Sequence, residues 1–567
     1  WPGTNISSDK VPSELAYDTA GIKRNSDGRA IKKSESTRTQ KIRWGHQLKP
    51  EDNRLMCLKL DLEPKLKRPS FVSKDIVGNQ LMLYGKTSEE AISDYLTEVF
   101  KYARDEMINR CPVLASTQQI DVVLTVPAIW SDAAKDATFR VAEKAGMGTN
   151  LFMISEPEAA AIYAFEEQHR QGQLKVGEVY IICDSGGGTT DLISFEVVSL
   201  TPLKVREAAP GMGALCGGVY LNRRFEDLVR SRMGSDKFDA FRKRKPQSWP
   251  IAIRFFEDYV KRNFDPKDSQ DEWDDDTFNV PLTGAKDDAS ANIENGLIIL
   301  STAEVAQLFH PLVNRVIELV ERQRNLVVAY GKTAQGVMLV GGFGQSKYLF
   351  RSLKLRFADD DPPPEYTQLA SEIVSDGQPR FLVIQPVHAW TAVVRGAVLS
   401  GLAGGFVTSR KARRHYGITT NKHWSAFGTY TVEKFWEEIE EVWLVKNQMS
   451  WHVNTGQTMP VDEPILLDFY RTWSIEEGFP TLVSTKICYN EEESAPQEKT
   501  TGTAHLCTLS VDLESVPHTA YETKTTLRGK YYRQLDYKIG MRLNSGSLEF
   551  FLQVDGVVYG NVKADYK

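Results

Sequence analysis

The 567-residue chain is too long for a single compact core and predicts two or three domains. With 41% apolar and 25% charged residues and a formal net charge of −6, its composition is that of an ordinary globular protein and excludes a bulk electrostatic attraction to nucleic acid. Six scattered cysteines without a CxxC pair exclude a zinc ribbon and a disulfide framework, and predict reduced thiols in a cytoplasmic protein.

In chain order, the sequence opens on Trp1-Pro2-Gly3 with neither an initiator Met nor a basic-then-apolar leader, which predicts a piece of something longer. The Asn5-Ile6-Ser7 sequon has no consequence under a cytoplasmic reading. From about residue 120 to 400, short β-branched runs alternate with helical patterns, the signature of α/β architecture. Buried strands are expected at Val122–Val126, Val179–Cys183, Leu192–Val198, Val337–Val340 and Phe381–Ile384. Between the first two, Ser131–Ala145 places apolar residues at 134, 137, 141 and 145, a helical stripe capped by Ser131 and stopped by Gly146.

Asp265–Asp276, Ala358–Glu365 with its three prolines, and Asn490–Thr501 read as solvated loops, because charge runs and proline clusters bury too little apolar area to order themselves. The charge-free stretch Gly396–Ser409 has 14 residues, short of the roughly 20 that a spanning helix needs, so no membrane segment is expected. After Gly404-Gly405 alternating strands take over, with Val432–Glu441 the one stretch that keeps a helical pattern. Leu548–Val554 and Val557–Val562 around Asp555-Gly556 predict a two-residue hairpin. The expected division is therefore an α/β domain over 1–404 and a β-rich domain over 405–567.

The stretch VYIICDSGGGTTDLISFEVV, 179–198, puts Gly186, Gly187 and Gly188 between two strands and fences them with Asp184 and Asp191. Glycines let backbone N–H groups approach a ligand closely, a concavity that suits phosphate. The two carboxylates suit Mg²⁺ or its waters, and Thr189 and Thr190 offer hydroxyls to phosphate oxygens or to an attacking water. A tight hairpin with flanking turn acids would account for fewer glycines than are present.

This stretch resembles the second phosphate loop of the actin, Hsp70 and sugar-kinase superfamily, and DSGGGTTD at 184–191 is most similar to Hsp70. Other stretches resemble the family's signatures in their order. DVVLTVPAIWSDAAKDATFRVAEKAGM, 121–147, resembles a strand, proline switch and helix, with Pro127 at the hinge. ISEPEAAAIYAF, 154–165, resembles the first interlobe connection, with Glu156 facing the magnesium shell; Ser155 and Glu158 have capping-box spacing, and a first-turn acid complementing a helix dipole is the other reading of Glu156. ALCGGVYLNRRF, with Gly217 and Gly218, resembles the loop near the nucleotide sugar. FFEDYVKRNF, 255–264, resembles the helix over the adenine, its clamp being Asp258, Lys261 and Arg262, or Glu257 after a one-residue shift; exposed salt-bridging residues fit as well. VMLVGGFGQSKYLFRSLK, 337–354, resembles the adenosine-binding corner with Gly341 and Gly342, and PVHAWTAVVRGAVLSGL, 386–402, the second interlobe helix, crossing closely at Gly396.

The resemblance covers roughly residues 1–404, and SRKARRHYGI and DGVVYGNVKADY further resemble divergent, lid-less Hsp70-like proteins. It implies a two-lobed, actin-like (ribonuclease H-like) ATPase domain followed by a β-rich domain. It also implies ATP or ADP and Mg²⁺ as ligands, with Asp184, Thr189, Glu156 and a phosphate-facing lysine around the reaction. Lys49 is the candidate, since GHQLK at 45–49 has the family's glycine-to-lysine spacing, although a solvated surface lysine fits it too.

The family's first phosphate loop, roughly G-I-D-L-G-T-T after an aliphatic run, has no counterpart here, and WPGTNISSDKVPSELAYD resembles the family segment just downstream of that loop. Weak or absent hydrolysis is therefore expected. The family's apolar interdomain linker is replaced by Ala403-Gly404-Gly405, and GMGALCGG at 211–218 misses the dinucleotide spacing and opens no predicted helix. The chemistry expected is that of an ATP-binding, Hsp70-like chaperone-type protein whose partners are nucleotide and client proteins at the β-rich domain, with no nucleic acid and no membrane. The alternatives are a non-catalytic adaptor and a small-molecule kinase of the same superfamily.

Overall fold

The computed structural model describes residues 1–5, 7–18, 41–49, 52–63, 74–113, 120–148, 150–266, 277–357, 381–428, 430–546 and 548–566. Ile6 of the sequon, most of the acidic stretch (267–276) and the proline segment (358–380) lie outside the described residues. The chain divides into two units, Trp1–Ser194 with Gly211–Gly404, and Phe195–Pro210 with Gly405–Lys567.

In the first unit, strand β1 (Val122–Val126), helix α1 (Asp132–Lys144), strand β2 (Leu151–Ser155) and helix α2 (Glu156–Arg170) follow one another. Ser131 caps α1 by accepting the Ala134 N–H, and Ala134, Ala137, Val141 and Ala145 are all buried, as their spacing requires. β1 and β2 pair in parallel, with Val126 opposite Ser155. Of β1 only Val126 is fully buried; the rest is half-covered, so its β-branched run reflects strand propensity more than depth. α2 begins at Glu156 with Ser155 as its N-cap residue, but the Ser155 side chain makes no capping bond, so the predicted capping box does not form. Pro in the first turn already sets the backbone there for a helix.

The larger sheet contains β3 (Val179–Ser185), β4 (Thr190–Leu200), β5 (Leu203–Ala214), β6 (Ala334–Val340) and β7 (Leu382–Ile384), in the order β7-β6-β3-β4-β5. Strand β6 runs parallel to both β3 and β7, and the register sets Val340 beside Asp184. The same unit contains α3 (Val219–Met233), α4 (Ser248–Phe255), a π-helical turn (Phe256–Lys261), α5 (Thr302–Ala329), which packs on β3 and β6, and α6 (Ala392–Ala403). Contrary to the sequence expectation, GMGALCGG does lead into a helix: α3 opens directly after Gly218.

Helices α2 and α6 cross at Gly396, where a Cβ would fall inside the Ala159 carbonyl. No rotamer relieves a clash with backbone, so Gly396→Ala should destabilise the first unit by about 3 kcal/mol, the upper end of usual overpacking. The midpoint of that unit's transition in a calorimetric scan measures it, and an unchanged midpoint would contradict the close crossing. No helix among the described residues is long and apolar enough to cross a membrane.

The second unit is built of β8 (His415–His423), β9 (Lys434–Glu437), β10 (Val442–Val453), β11 (Ile465–Ser474), β12 (Leu482–Asn490), β13 (Ala504–Asp512), β14 (Glu522–Thr525), β15 (Tyr531–Leu543), β16 (Leu548–Val554), β17 (Val557–Asn561) and β18 (Lys563–Asp565). One sheet has the order β9-β10-β8-β12-β13-β18 and the other β11-β15-β16-β17, with β14 also on β15. Their inner faces share one apolar core, Ile418, Ile487 and Leu509 from the first meeting Leu467, Leu535, Ile539 and Leu552 from the second. The β16–β17 turn has Asp555 and Gly556 both at positive φ, 49° and 80°, as a two-residue hairpin demands. Val432–Glu441 is not helical: Lys434–Glu437 is an edge strand paired with β10, because Phe435 and Trp436 gain more from cross-strand neighbours than from an isolated helical turn.

Candidate functional site

Parallel strands in register end at the same level, and the groups that come after them gather beyond their carboxyl ends. β3 delivers Asp184 and Ser185, β6 delivers Gly341, β1 leads into Pro127, and β2 into Glu156. The Gly341 corner is fastened to β3: Phe343 and Gly344 donate their N–H groups to the Ser185 carbonyl at 2.8 and 2.9 Å, and Gly341 N–H donates to Ala389 O at 2.9 Å. The triple-glycine bend and the Gly341-Gly342 corner are therefore neighbours.

The bend closes with Gly186 N–H donating to Thr189 O at 2.9 Å, while the Ser185 and Thr190 hydroxyls meet at 2.9 Å. The Gly217-Gly218 loop locks onto it. Gly217, Gly218 and Val219 donate to the carbonyls of Gly188, Gly186 and Gly187 at 3.3, 3.0 and 2.8 Å. A Cβ on Gly217 would stand 2.5 Å from the Gly187 carbonyl carbon and oxygen, so only glycine fits. The first N–H of α3, that of Val219, is thus spent on the bend. Above Gly187, Gly188 and Gly342 a Cβ would meet nothing within 4 Å, so that side of both glycine corners is open.

Three acids, Asp184, Asp191 and Glu156, gather near the bend. Burial pushes Asp184 up to about 8, with the Glu156 and Asp191 carboxylates adding to the effect and Lys10 and Lys59 opposing it. Burial and Glu156 push Asp191 up to about 6, against the Thr189 hydroxyl, the Ile129 N–H and Lys59. Asp191 Oδ1 accepts the Ile129 N–H at 3.4 Å; its Oδ2 is buried and accepts no hydrogen bond. The buried Pro127 begins the turn that presents Ile129 to Asp191 and brings the Trp130 ring under Lys59, at 5.3 Å from ammonium to centroid.

Lys59 forms an ion pair with Glu156. Lys49 does not join these acids: it is exposed, its N–H donates to Asp52 Oδ2 at 2.7 Å, and its carbonyl accepts from Arg54. The lysine beside the acids is Lys59, not the Lys49 that motif spacing selects. The signal for it was the single cation in the apolar run LMCLKLDL, where a 3-10 turn buries Leu58 and Leu62 and turns Lys59 outward.

On the helix over the expected base site, Lys261 approaches Gly218, whose Cβ would be 3.2 Å from its Nζ. Lys261 donates to Asn222 Oδ1 at 3.3 Å and to Glu257 Oε1 at 3.4 Å, and Asn222 donates to the same Glu257 oxygen at 2.7 Å. Of the two alternatives, Glu257 is the one that meets Lys261, while Asp258 pairs with Arg254 at 3.6 Å and Arg262 at 3.7 Å on the half-exposed side. Sequence reading had no ground to include Asn222, which comes from α3. Arg262 stacks on Trp390, 4.0 Å from guanidinium to ring centroid. Among the described residues no group of three His, Cys, Asp or Glu side chains is arranged to hold a metal ion directly.

Residues 105–346 match the family model "Hsp70 protein". Human "Heat shock 70 kDa protein 12B" is 22% identical over 56% of this chain and 53% of its own length. Human "Heat shock 70 kDa protein 12A" is 21% identical over 76% of this chain and 70% of its own length. A "Chaperone protein HscA homolog" of Rickettsia peacockii (strain Rustic) is 27% identical over 51% and 41%. The chain thus spans about half the length of the first of these relatives. The family-model match over residues 105–346 and the similarities to these Hsp70 proteins support a divergent Hsp70-like protein.

Proposed function

We propose that the first unit binds ATP or ADP with magnesium above the interlocked glycine loops and hydrolyses ATP slowly, as part of a chaperone-type protein. The observation that carries this reading is the open space over Gly187, Gly188 and Gly342 directly beside the buried Asp184 and Asp191. The donor set fits magnesium held through its waters: Asp191 Oδ2 lacks any hydrogen bond, and burial beside Glu156 leaves both carboxylates short of compensating charge. Bound magnesium would neutralise phosphate charge and polarise the leaving group. The glycine N–H groups and Thr189 would orient the phosphates, Lys261 with Glu257 and Asn222 would sit at the sugar and base, and Glu156 with the Pro127 turn would sense what is bound.

Slow turnover is expected because Lys59 is engaged by Glu156. One missing stabilising group costs about 3 kcal/mol of transition-state stabilisation. In the second unit an opening of about 550 Å³, lined among others by Glu440, Tyr470, Lys524, Leu527, Tyr532 and Gln534, suits an extended client segment. Calorimetry with ATP and Mg²⁺, followed by single-turnover hydrolysis with and without an added strand–glycine–strand hairpin upstream, tests the reading. ATP should bind, and the added hairpin should raise the rate by about 100-fold or more; equal brisk rates would reject slow turnover. Absence of nucleotide binding would favour the adaptor instead.

A further inference from the structure

Two cations share one aromatic ring near the buried acids. Arg262 lies 4.0 Å from the Trp390 centroid and the Lys10 ammonium 5.4 Å from the same centroid. The ring's place is set by its neighbour, since Ala389 O accepts the Gly341 N–H at 2.9 Å, and a Cβ on Gly341 would lie 2.7 Å from Ser185 C. Trp390 therefore follows a residue fastened to the Gly341 corner, beside the end of the strand that carries Asp184 and Ser185. Its indole Nε1 is buried and donates no hydrogen bond.

Each cation–π contact is worth about 0.5–2 kcal/mol, but two positive charges on one ring repel each other. Arg262 has a partner on its own helix in Asp258 at 3.7 Å, a long and half-exposed pair. Lys10 faces Asp184 and Glu156, yet Glu156 is already paired with Lys59. An anion would resolve the arrangement, because it would take charge from both cations and accept the unused indole N–H.

We propose that Lys10, Arg262 and the Trp390 indole form a phosphate-recognising subsite beside Asp184 and Glu156, supplying positive charge that the glycine bend cannot. The inference rests on the nucleotide reading and adds to it the residues that hold the phosphate chain. A free polyphosphate carries the same chemistry as the chain of a nucleotide, so both are probes.

The test is calorimetric titration of the full chain with adenosine, ATP and inorganic tripolyphosphate, for the wild type, Lys10→Met and Lys10→Arg. Lys10→Met should weaken ATP and tripolyphosphate about tenfold or more and leave adenosine unchanged, and Lys10→Arg should keep wild-type affinity. Thermal melting of each variant separates lost recognition from lost folding. Equal ATP affinity in wild type and Lys10→Met would overturn the subsite and leave the nucleotide reading standing. Wild-type protein that binds neither ATP nor adenosine would sink that reading, and the subsite with it.

Discussion

Gly217→Ala should destabilise the first unit by roughly 3 kcal/mol, at the upper end of usual overpacking, and abolish measurable nucleotide binding. The new methyl would stand 2.5 Å from the carbon and oxygen of Gly187 and 2.7 Å from Gly188 C, and all of these are backbone atoms. Relief requires the two loops to separate, which loses the three hydrogen bonds from Gly217, Gly218 and Val219, each worth about 1 kcal/mol. Gly187→Ala is the matched control. Its methyl meets nothing within 4 Å, so folding should be almost unaffected while the methyl intrudes on the ligand's space. Thermal melts combined with ATP titration resolve the pair: the first variant should fail both measurements, and the second only the titration. A Gly217→Ala protein with wild-type stability would show that the loops are not interlocked.

The second large effect is a pH dependence of unusual sign. An ordinary folded carboxylate has a depressed pKa and stabilises the fold as pH rises. Asp184 and Asp191 are instead pushed up to about 8 and about 6 from 3.8, so the fold favours their protonated forms. Their contribution is fully present below about pH 4 and is lost as pH climbs through 6 and then 8. One pKa unit corresponds to about 1.4 kcal/mol, so between pH 5.5 and 8.5 the ligand-free first unit should lose a few kcal/mol from these two groups. Asp184→Asn keeps the shape and removes the charge. It should melt higher than the wild type at pH 8.5, show a flatter pH profile, and lose the extra stability that Mg²⁺ and ATP give the wild type. Denaturation midpoints at the two pH values, with and without Mg²⁺ and ATP, measure this, and parallel profiles for the two proteins would refute it.

Local interactions account for the elements that were legible in advance. The Ser131 cap and the apolar stripe at 134, 137, 141 and 145 specify α1 within one helix length, and Asp555-Gly556 supplies the left-handed backbone its hairpin requires. Legibility failed where distant partners decide. Val432–Glu441 has a helical pattern but is drawn into an edge strand by Trp443 and its neighbours in β10, and Ser155 heads a helix whose first turn is set by proline instead of its hydroxyl. Spacing within a motif selected Lys49, whereas the acid it would serve is met by Lys59, delivered by a 3-10 turn.

By itself the sequence determined the order of strands and helices around the glycine bend, its resemblance to Hsp70 proteins, and the hairpin chemistry of the carboxyl-terminal strands, because each depends on neighbours a few residues away. Only the tertiary structure decided which glycines interlock, which lysine meets Glu156, and that Trp390 carries both Lys10 and Arg262. Those pairings join segments far apart in the chain, and their free energies come from burial and charge proximity, which exist only once parallel strands in register bring their ends together.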